Sequence, residues 1–230
     1  MEDKIALLKK IFAIVCEAAS LGRRSADDIT LIAVSKTKPA AMISDFRRAG
    51  IKDFGENYVQ EFLEKYEVLK EDGIRWHFIG TLQTNKVKYI VDKVFMIHTL
   101  DSIKLAEEIQ KQAEKKNIST VRVLIQVNAG KEAQKGGIMP ENLASFYKEL
   151  QQFERLSVRG LMTIPPFLEP EEVRPYFQKL REMQRALIYS EKLDPSIFSE
   201  LSMGMSNDFD VAIEEGATMV RVGSLLFGER

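Results

Sequence analysis

The chain alternates short apolar runs with longer amphipathic stretches. The first run is unbroken from Leu31 to Val34, and the fifth, from Val121 to Val127, is mostly β-branched and aliphatic. Runs without a polar face are typical of strands that are buried on both sides, as in parallel sheets. Eight stretches are predicted as strands, the last together with its loop: 31–34, 51–54, 75–80, 93–98, 121–127, 156–163, 197–203 and 216–223.

Between these runs, apolar residues recur at spacings of three and four, the period of a helix with one buried face. Before the first strand, such a face is formed by Ile5, Leu8, Phe12, Val15 and Ala19. We predict a helix here that ends near Leu21 and Gly22 and covers one end of the domain. The other helices are predicted to begin near Pro39, after Asn57 as N-cap, at Val87, Ser102, Leu143 and Pro175, and before Val211.

Strict alternation of strand and helix indicates a parallel sheet, and eight repeats indicate a closed barrel. We therefore expect an α/β fold, a single (β/α)8 TIM barrel with an extra N-terminal helix. No linker, low-complexity tract or shift in composition divides the chain, so residues 1–230 are predicted to form one domain. An open doubly wound sheet is the alternative, because a sequence does not display the order of its strands.

Composition narrows the class of partner. The 33 basic and 34 acidic residues nearly cancel, which gives no basis for a nucleic-acid or membrane-surface protein, so we expect a small-molecule ligand. The start, Met-Glu-Asp-Lys, lacks the basic segment of a signal peptide, and no apolar run reaches the length of a membrane span. The single cysteine, Cys16, suits a reducing cytosol and is predicted to be a semi-buried thiol. We expect a cytoplasmic protein.

In a barrel, the residues that follow the strands converge on one face, where binding sites are built. Lys36 comes directly after the first strand, so it either projects into a pocket there or is an exposed strand-end lysine beside Lys38. The residues predicted at this face are Lys36, Asn57, Gly80, Asn85, His98, Asn128, Lys131, Lys135, Thr163, 202–206 and 221–224.

The last two strand ends favour an anion. Ser206, Gly223 and Ser224 offer a hydroxyl and exposed backbone N–H groups near helix starts, as phosphate loops do, although an ordinary turn has the same composition. Two histidines are too few for a three-histidine zinc site, and no other metal-ligand spacing is present. His77 alternates with aromatic residues, which is typical of a core histidine rather than of a catalyst.

Several long motifs in order are similar to those of the pyridoxal phosphate homeostasis family, whose fold resembles the N-terminal barrel of alanine racemases. They are Ala33-Val-Ser-Lys-Thr-Lys-Pro39, Phe54-Gly-Glu-Asn-Tyr-Val-Gln-Glu61, Trp76-His-Phe-Ile-Gly-Thr-Leu-Gln-Thr-Asn-Lys86, Gly160-Leu-Met-Thr-Ile164, Leu201-Ser-Met-Gly-Met-Ser206 and Val220-Arg-Val-Gly-Ser224. The resemblance runs from end to end, and Ser224 occupies a position where the family often has threonine.

The resemblance implies that pyridoxal 5'-phosphate is bound covalently as an imine on Lys36. It implies that Ser206, Gly223 and Ser224 hold the phosphate, that Arg221 faces the pyridine nitrogen, and that Asn57 lies beside the ring. Lys38 and Lys135 resemble second-tier pocket lysines, while Met162 and Met203 resemble apolar packing around the cofactor. A partly desolvated lysine with cationic neighbours has a lowered pKa, which favours the unprotonated amine that an imine requires.

The same residues also indicate whether the protein catalyses a reaction on the bound cofactor. An arginine at the pyridine nitrogen disfavours its protonation and weakens the ring as an electron sink, which argues against transamination. In the resembling racemases a tyrosine from a second domain supplies the opposing base, and we expect no such domain in a chain that ends at Arg230. We therefore predict a reversible carrier or buffer of vitamin B6 with little or no catalysis.

Other possibilities stay open at this point. One is an amino-acid racemase whose second base is unrecognised, such as Lys135 or Tyr58, and another is a regulatory protein that senses the cofactor as a ligand. The predicted carrier would transfer its cofactor to apo-enzymes that require it, and it is expected to be a monomer or a weak homodimer.

Overall fold

The computed structural model describes residues 2–132 and 134–228, and within these ranges eight parallel strands form a closed barrel. The strands are β1 Thr30–Val34, β2 Asp53–Glu56, β3 Arg75–Phe78, β4 Met96–Leu100, β5 Val121–Gln126, β6 Leu156–Met162, β7 Glu200–Met205 and β8 Met219–Val222. Each strand pairs with the next, and β8 pairs with β1. The predicted TIM barrel is confirmed, and the open sheet is excluded because its edge strands would not pair.

Helices follow the strands on the outside of the barrel. The α-helices are α1 Glu2–Leu21, α2 Ala40–Arg48, α3 Val59–Leu69, α4 Val87–Ile90, α5 Ile103–Lys115, α6 Leu143–Leu150, α7 Pro170–Glu191, α8 Phe209–Glu214 and α9 Ser224–Phe227. Short 3-10 turns lie at Ala26–Asp28, Lys70–Asp72, Thr84–Lys86 and Pro140–Asn142. Within the described ranges, the helices are too short or too polar to cross a membrane.

The extra helix α1 packs along α8, and its Lys4 forms an ion pair with Asp45 of α2. It therefore stands in the ring of helices, whereas the sequence predicted a helix that covers an end of the barrel. Its buried face consists of Leu8, Ile11, Val15, Ala18 and Ala19. The predicted Ile5 and Phe12 are exposed, because they lie at the edge of the apolar face whose centre holds the buried Leu8, Val15 and Ala19. Cys16 is exposed, so the prediction of a semi-buried thiol is wrong.

Three strands begin two or three residues later than predicted: β2, β4 and β7. The apolar residues that suggested the earlier starts, such as Ile51 and Phe198, are buried without belonging to a strand. Burial in the layer between barrel and helices needs no ladder hydrogen bonds, so an apolar run can begin before its strand does. As a result, His98 and Met203 lie inside β4 and β7 and not beyond their ends.

Helix α7 begins at Pro170 and not at the predicted Pro175, which lies inside the helix. The side chain of Glu169 accepts a hydrogen bond from the backbone of Glu172, whose side chain accepts one from Glu169, so the pair forms a capping box. Pro170 then occupies the first turn, where proline is well tolerated. Two prolines near one helix start made the sequence ambiguous, and the capping residues decide between them.

The barrel interior has an apolar floor beneath the face where the strands end. It is formed by Ile32, Met96, Leu124, Met162 and Met219. A larger apolar layer lies between the strands and the surrounding helices. The interior also holds a line of buried polar side chains, which is described below.

Candidate functional site

A cavity of about 560 Å³ opens at the carboxyl ends of the strands. Its lining brings together Lys36, Asn57, Ser206, Arg221, Gly223 and Ser224, which come from the ends of β1, β2, β7 and β8. Lys38 and Lys135 also line it. Because strands far apart in sequence end side by side in a barrel, Lys36 and Arg221 contribute to one pocket although they lie near opposite ends of the chain.

Lys36 sits in a tight turn directly after β1. The backbone N–H of Lys38 donates to the carbonyl of Ser35 at 3.0 Å, so Lys36 and Thr37 are the two central residues. Thr37 has a φ of 65°, in the left-handed region that β-branched residues rarely adopt. A strained turn of this kind persists only where its surroundings hold it.

Three charged side chains hold this turn, and we call them the turn clamp: Glu56, Glu61 and Lys65. Lys65 Nζ donates at 2.7 Å to the carbonyl of Ser35 and to Oε1 of both glutamates. The hydroxyl of Ser35 donates to Glu56 Oε1 at 2.6 Å, and Glu61 accepts the backbone N–H of Thr37. The residues on both sides of Lys36 are therefore fixed by α3 and the end of β2.

The turn clamp is deeply placed. Glu56 is fully buried, and this burial raises its pKa above the ordinary value although Lys65 and Ser35 act in the opposite direction. Sequence reasoning missed the clamp, but a signal was present. Lys65 falls on the face of α3 that also carries Phe62 and Leu69, and a lysine among buried apolar positions indicates a buried partner.

A second wall of the cavity is built on Arg221 of β8, the strand that pairs with β1, and its exposed fraction is 4%. Its Nη1 donates to Ser202 Oγ at 2.8 Å and its Nη2 donates to the carbonyl of Thr163 at 3.0 Å. Burial lowers the pKa of Arg221 to about 10, with the charge of Asp208 acting to raise it. The guanidinium therefore remains a cation at neutral pH.

The loop after β7 and the loop after β8 are tied together. The hydroxyl oxygen of Ser206 accepts the backbone N–H of Gly223 at 3.1 Å, and Ser224 begins α9. Asp208, which sequence reasoning missed, accepts the backbone N–H of Met205 at 2.6 Å and so shapes the first loop. Burial raises the pKa of Asp208 above its ordinary value.

Asn57 is not the N-cap of α3, because Tyr58 occupies that position and makes no side-chain cap. Instead Asn57 lines the cavity, and its Oδ1 is buried without a hydrogen-bond partner among the residues that the structure describes. Gly80 makes room for its backbone, since a Cβ there would lie 2.2 Å from the Asn57 carbonyl oxygen. A buried acceptor without a partner is costly, which indicates a site that a ligand completes.

Both methionines fall outside the lining. Met162 belongs to the apolar floor of the barrel, and Met203 packs in the outer layer toward the helices. The residue of β7 that reaches the cavity is Met205. Strict alternation would turn Met205 outward together with Met203, but the register between β7 and β8 shifts between Ser202 and Met205 and changes the facing.

The two candidate second bases, Lys135 and Tyr58, and the pocket lysine Lys38 are each either engaged by other groups or outside the cavity. Lys135 Nζ donates to the carbonyl of Pro165 at 2.8 Å and forms an ion pair with Glu132 at 2.6 Å. Lys38 Nζ donates to the carbonyl of Gly228 at 3.2 Å. Tyr58 is 58% exposed and does not line the cavity.

Neither histidine reaches the cavity. Both ring nitrogens of His77 are engaged, Nε2 with Asp53 and Nδ1 with His98, so His77 is a core histidine with its hydrogen bonds satisfied. Over residues 2–132 and 134–228, no group of three or more His, Cys, Asp or Glu side chains could hold a metal ion.

Comparison with known proteins places this geometry in a family. Residues 17–230 match the family described as alanine racemase, N-terminal domain. The chain is 54% identical to the pyridoxal phosphate homeostasis protein of Aquifex aeolicus, covering 94% of this chain and 92% of that one. It is 40% identical to the protein of that name from Escherichia coli, over 94% and 92% of the two chains.

A solved structure agrees with these matches. PipY of Synechococcus elongatus with PLP bound is 36% identical and superposes with a TM-score of 0.80 over 93% of this chain and all of that one. The alanine racemase of Corynebacterium glutamicum, at 14% identity and a TM-score of 0.69, shares the fold over 61% of its length. The chain therefore belongs to the pyridoxal phosphate homeostasis protein family.

Proposed function

We propose that this protein binds pyridoxal 5'-phosphate reversibly in the cavity at the carboxyl ends of the strands and serves its homeostasis in the cytoplasm. The observation that carries the proposal is that one lysine and one buried arginine, from the neighbouring strands β1 and β8, line a single cavity. The names of the relatives and the cofactor in the PipY structure support it. The protein would buffer the cofactor or deliver it to apo-enzymes, as a monomer or weak homodimer.

The residues present fit this cofactor. A cavity of about 560 Å³ lies in the range of small-molecule sites. The hydroxyl of Ser206 and the backbone N–H of Ser224 suit a phosphate, and the N–H of Gly223, which donates to Ser206 Oγ, would join them by exchanging that acceptor for the phosphate. Arg221 offers a cationic donor to a ring nitrogen. Asn57 lines the same cavity, and its buried Oδ1 lacks a hydrogen-bond partner among the described residues.

The bound cofactor supplies an aldehyde carbon on an aromatic ring. The amine of Lys36 would hold the cofactor through that carbon, in a linkage that forms with loss of one water molecule and that water can reverse. The turn clamp fixes the backbone from which the amine extends. Arg221, held by Ser202 and Thr163, disfavours a proton on the ring nitrogen because that proton would add a second positive charge beside it.

The same geometry supports a carrier with little or no turnover. Exchange of a substrate proton on both faces requires a second acid-base group opposite Lys36. Tyr58 lies outside the cavity, and the amine of Lys135 is engaged by Glu132 and Pro165. Of the two alternative bases considered from the sequence, neither is poised for this task.

The attachment residue is tested by borohydride reduction of the loaded protein, followed by peptide mapping, for wild type, Lys36→Ala and Lys38→Ala. We expect reduction to fix the cofactor on residue 36 in wild type and in Lys38→Ala, and no covalent adduct in Lys36→Ala. An undiminished adduct in Lys36→Ala would show that another lysine carries the cofactor.

Turnover is tested by incubating the loaded protein with D- and L-amino acids in deuterated water. We expect no exchange of the α-proton above that of free cofactor. Stereospecific exchange at enzymatic rates would replace the carrier with a racemase.

A further inference from the structure

A chain of hydrogen bonds crosses the barrel interior and ends on Arg221. His77 Nε2 contacts Asp53 Oδ1 at 2.9 Å, and His77 Nδ1 contacts His98 Nε2 at 2.8 Å. His98 Nδ1 contacts Ser202 Oγ at 2.9 Å, and Ser202 accepts from Arg221 at 2.8 Å. All five side chains are buried, and they come from β2, β3, β4, β7 and β8.

The two ends determine the direction of every bond in the chain. Arg221 can only donate, and the carboxylate of Asp53 can only accept. Burial acts to raise the pKa of Asp53, but hydrogen bonds from His77 and Arg75 outweigh it, so the pKa lies below the ordinary value and the group is ionised. His77 therefore donates from Nε2 to this carboxylate, and at the other end Ser202 Oγ accepts from Arg221.

The donors and acceptors of the next two hydrogen bonds follow in the same way. Burial, with neighbouring positive charge, lowers the pKa of His98 well below its ordinary value, so His98 is neutral and has one N–H. This proton lies on Nε2 and is donated to His77 Nδ1, because Ser202 Oγ accepts from Arg221 and its own hydroxyl proton has His98 Nδ1 as its acceptor. His98 Nδ1 then accepts the hydroxyl proton of Ser202, which leaves the lone pairs of Ser202 for Arg221.

The direction matters for the cavity because Arg221 is fixed by only two acceptors in the described chain, Ser202 Oγ and the Thr163 carbonyl. The carbonyl belongs to the backbone, whereas the hydroxyl can rotate. If His98 had its proton on Nδ1, two donors would point at Ser202 Oγ. The tautomer of His98 thus decides how well one edge of the guanidinium is held.

We propose that His98, acting through Ser202 and oriented by His77 and Asp53, is a positioning residue that holds the Arg221 guanidinium toward the ring-nitrogen side of the cofactor cavity. The proposal rests on the proposed function, because the ring is what Arg221 would meet. It assigns a task to two histidines that lie outside the cavity.

The first test reads the tautomers directly. The chain has two histidines, so labelling histidine with ¹⁵N gives two ring systems, which His77→Gln and His98→Gln assign. In cofactor-free wild type at pH 7.5 we expect both rings to be neutral with the proton on Nε2. A proton on Nδ1 of either ring, or a charged His98, would contradict the proposed donor-to-acceptor direction of the hydrogen bonds from Arg221 to Asp53.

The second test uses a matched pair at position 98. In His98→Asn the amide lies near the place of Nδ1 and can accept from Ser202, whereas in His98→Gln it lies near the place of Nε2 and Ser202 loses its acceptor. We expect His98→Gln to bind pyridoxal 5'-phosphate about 10-fold more weakly and His98→Asn less than about 3-fold more weakly. We also expect the pH midpoint of the bound cofactor's absorption band to move in His98→Gln alone.

Loss of stability alone would affect both variants alike, so equal affinities and equal midpoints in His98→Gln, His98→Asn and wild type would overturn the positioning role. If His98→Gln does not fold, Ser202→Ala replaces it in the same comparison. Failure of the proposed function can be told apart from failure of the positioning role. In the first case wild type would bind no cofactor, while the tautomers of the cofactor-free protein would still show the direction of the hydrogen bonds.

Discussion

The two walls of the cavity hold their functional side chains by opposite means. The Lys36 wall is a surface turn fixed by charges, in which one buried lysine bridges two glutamates. The Arg221 wall is a strand inside the barrel, where the immediate partners are neutral: a serine hydroxyl, a backbone carbonyl and, behind the serine, two imidazoles. The carboxylate whose charge acts on Arg221 is Asp208, whereas Asp53, at the far end of the hydrogen-bond chain, pairs with Arg75.

The difference follows from the backbone at each wall. A strand in a closed barrel is already fixed by its ladder, so Arg221 needs only orientation, which neutral hydrogen bonds provide. The turn of Lys36 has few ladder bonds and a left-handed Thr37, so it needs strong external contacts. We infer that ion pairs hold the strained turn of Lys36, and that hydrogen bonds from neutral groups orient the guanidinium of Arg221.

The largest effect on stability is expected from breaking the turn clamp. Lys65→Met leaves the buried carboxylate of Glu56 without its cation, which should lower the free energy of unfolding by about 3–5 kcal/mol. Urea denaturation measures this loss. The double variant Glu56→Gln with Lys65→Met removes both charges and should lose clearly less than the single variant. Equal losses would mean that the clamp acts by packing and not by charge.

A smaller loss of stability is expected from a substitution beside Arg221. Ser202→Ala removes a hydroxyl that joins two buried groups, so the free energy of unfolding should fall by about 1–3 kcal/mol. The matched control is Ser119→Ala at an exposed serine, which should stay within about 0.5 kcal/mol of wild type. A Ser202→Ala variant as stable as the control would show that Arg221 does not depend on this contact.

The two walls should also differ in how their stability depends on pH. The fold lowers the pKa of His98, behind Arg221, and raises the pKa of Glu56, in the turn clamp. The pKa of His98 is lowered in the fold, so the unfolded chain takes up a proton first, and stability falls as the pH drops below about 6.5. The pKa of Glu56 is raised, so its stabilising contribution is present near pH 4.5 and is lost as the pH rises through the folded value.

The corresponding measurement is the free energy of unfolding of wild type, His98→Asn and Glu56→Gln between pH 5 and 8. A tenfold difference in proton affinity between the folded and unfolded chain corresponds to about 1.4 kcal/mol. We expect His98→Asn to lose less stability in acid than wild type, and Glu56→Gln to lose more. Parallel curves for all three proteins would contradict the opposite directions of the two pKa values.

Much of this site could be predicted because it follows strand ends. Lys36 comes directly after an unbroken apolar strand, and Ser206, Gly223 and Ser224 follow the last two strands, so barrel geometry alone brings them to one mouth. Met203 shows where this reasoning stops. A shift in the register between β7 and β8 turns Met205 toward the cavity while Met203 stays on the outer face, and strict alternation of side chains does not predict it.

The alternation of eight strands with helices follows from the order of residues alone, since it is the pattern of a parallel α/β sheet. Closure into a barrel, and not an open doubly wound sheet, was decided by the tertiary structure, in which β8 pairs with β1. The lysine, the arginine and the small residues that line the cavity follow from the same pattern. What holds these residues in place became visible only in the folded chain. The turn clamp and the chain from Asp53 to Arg221 join residues from different strands and helices, and their hydrogen bonds depend on distances that exist only after the barrel has closed.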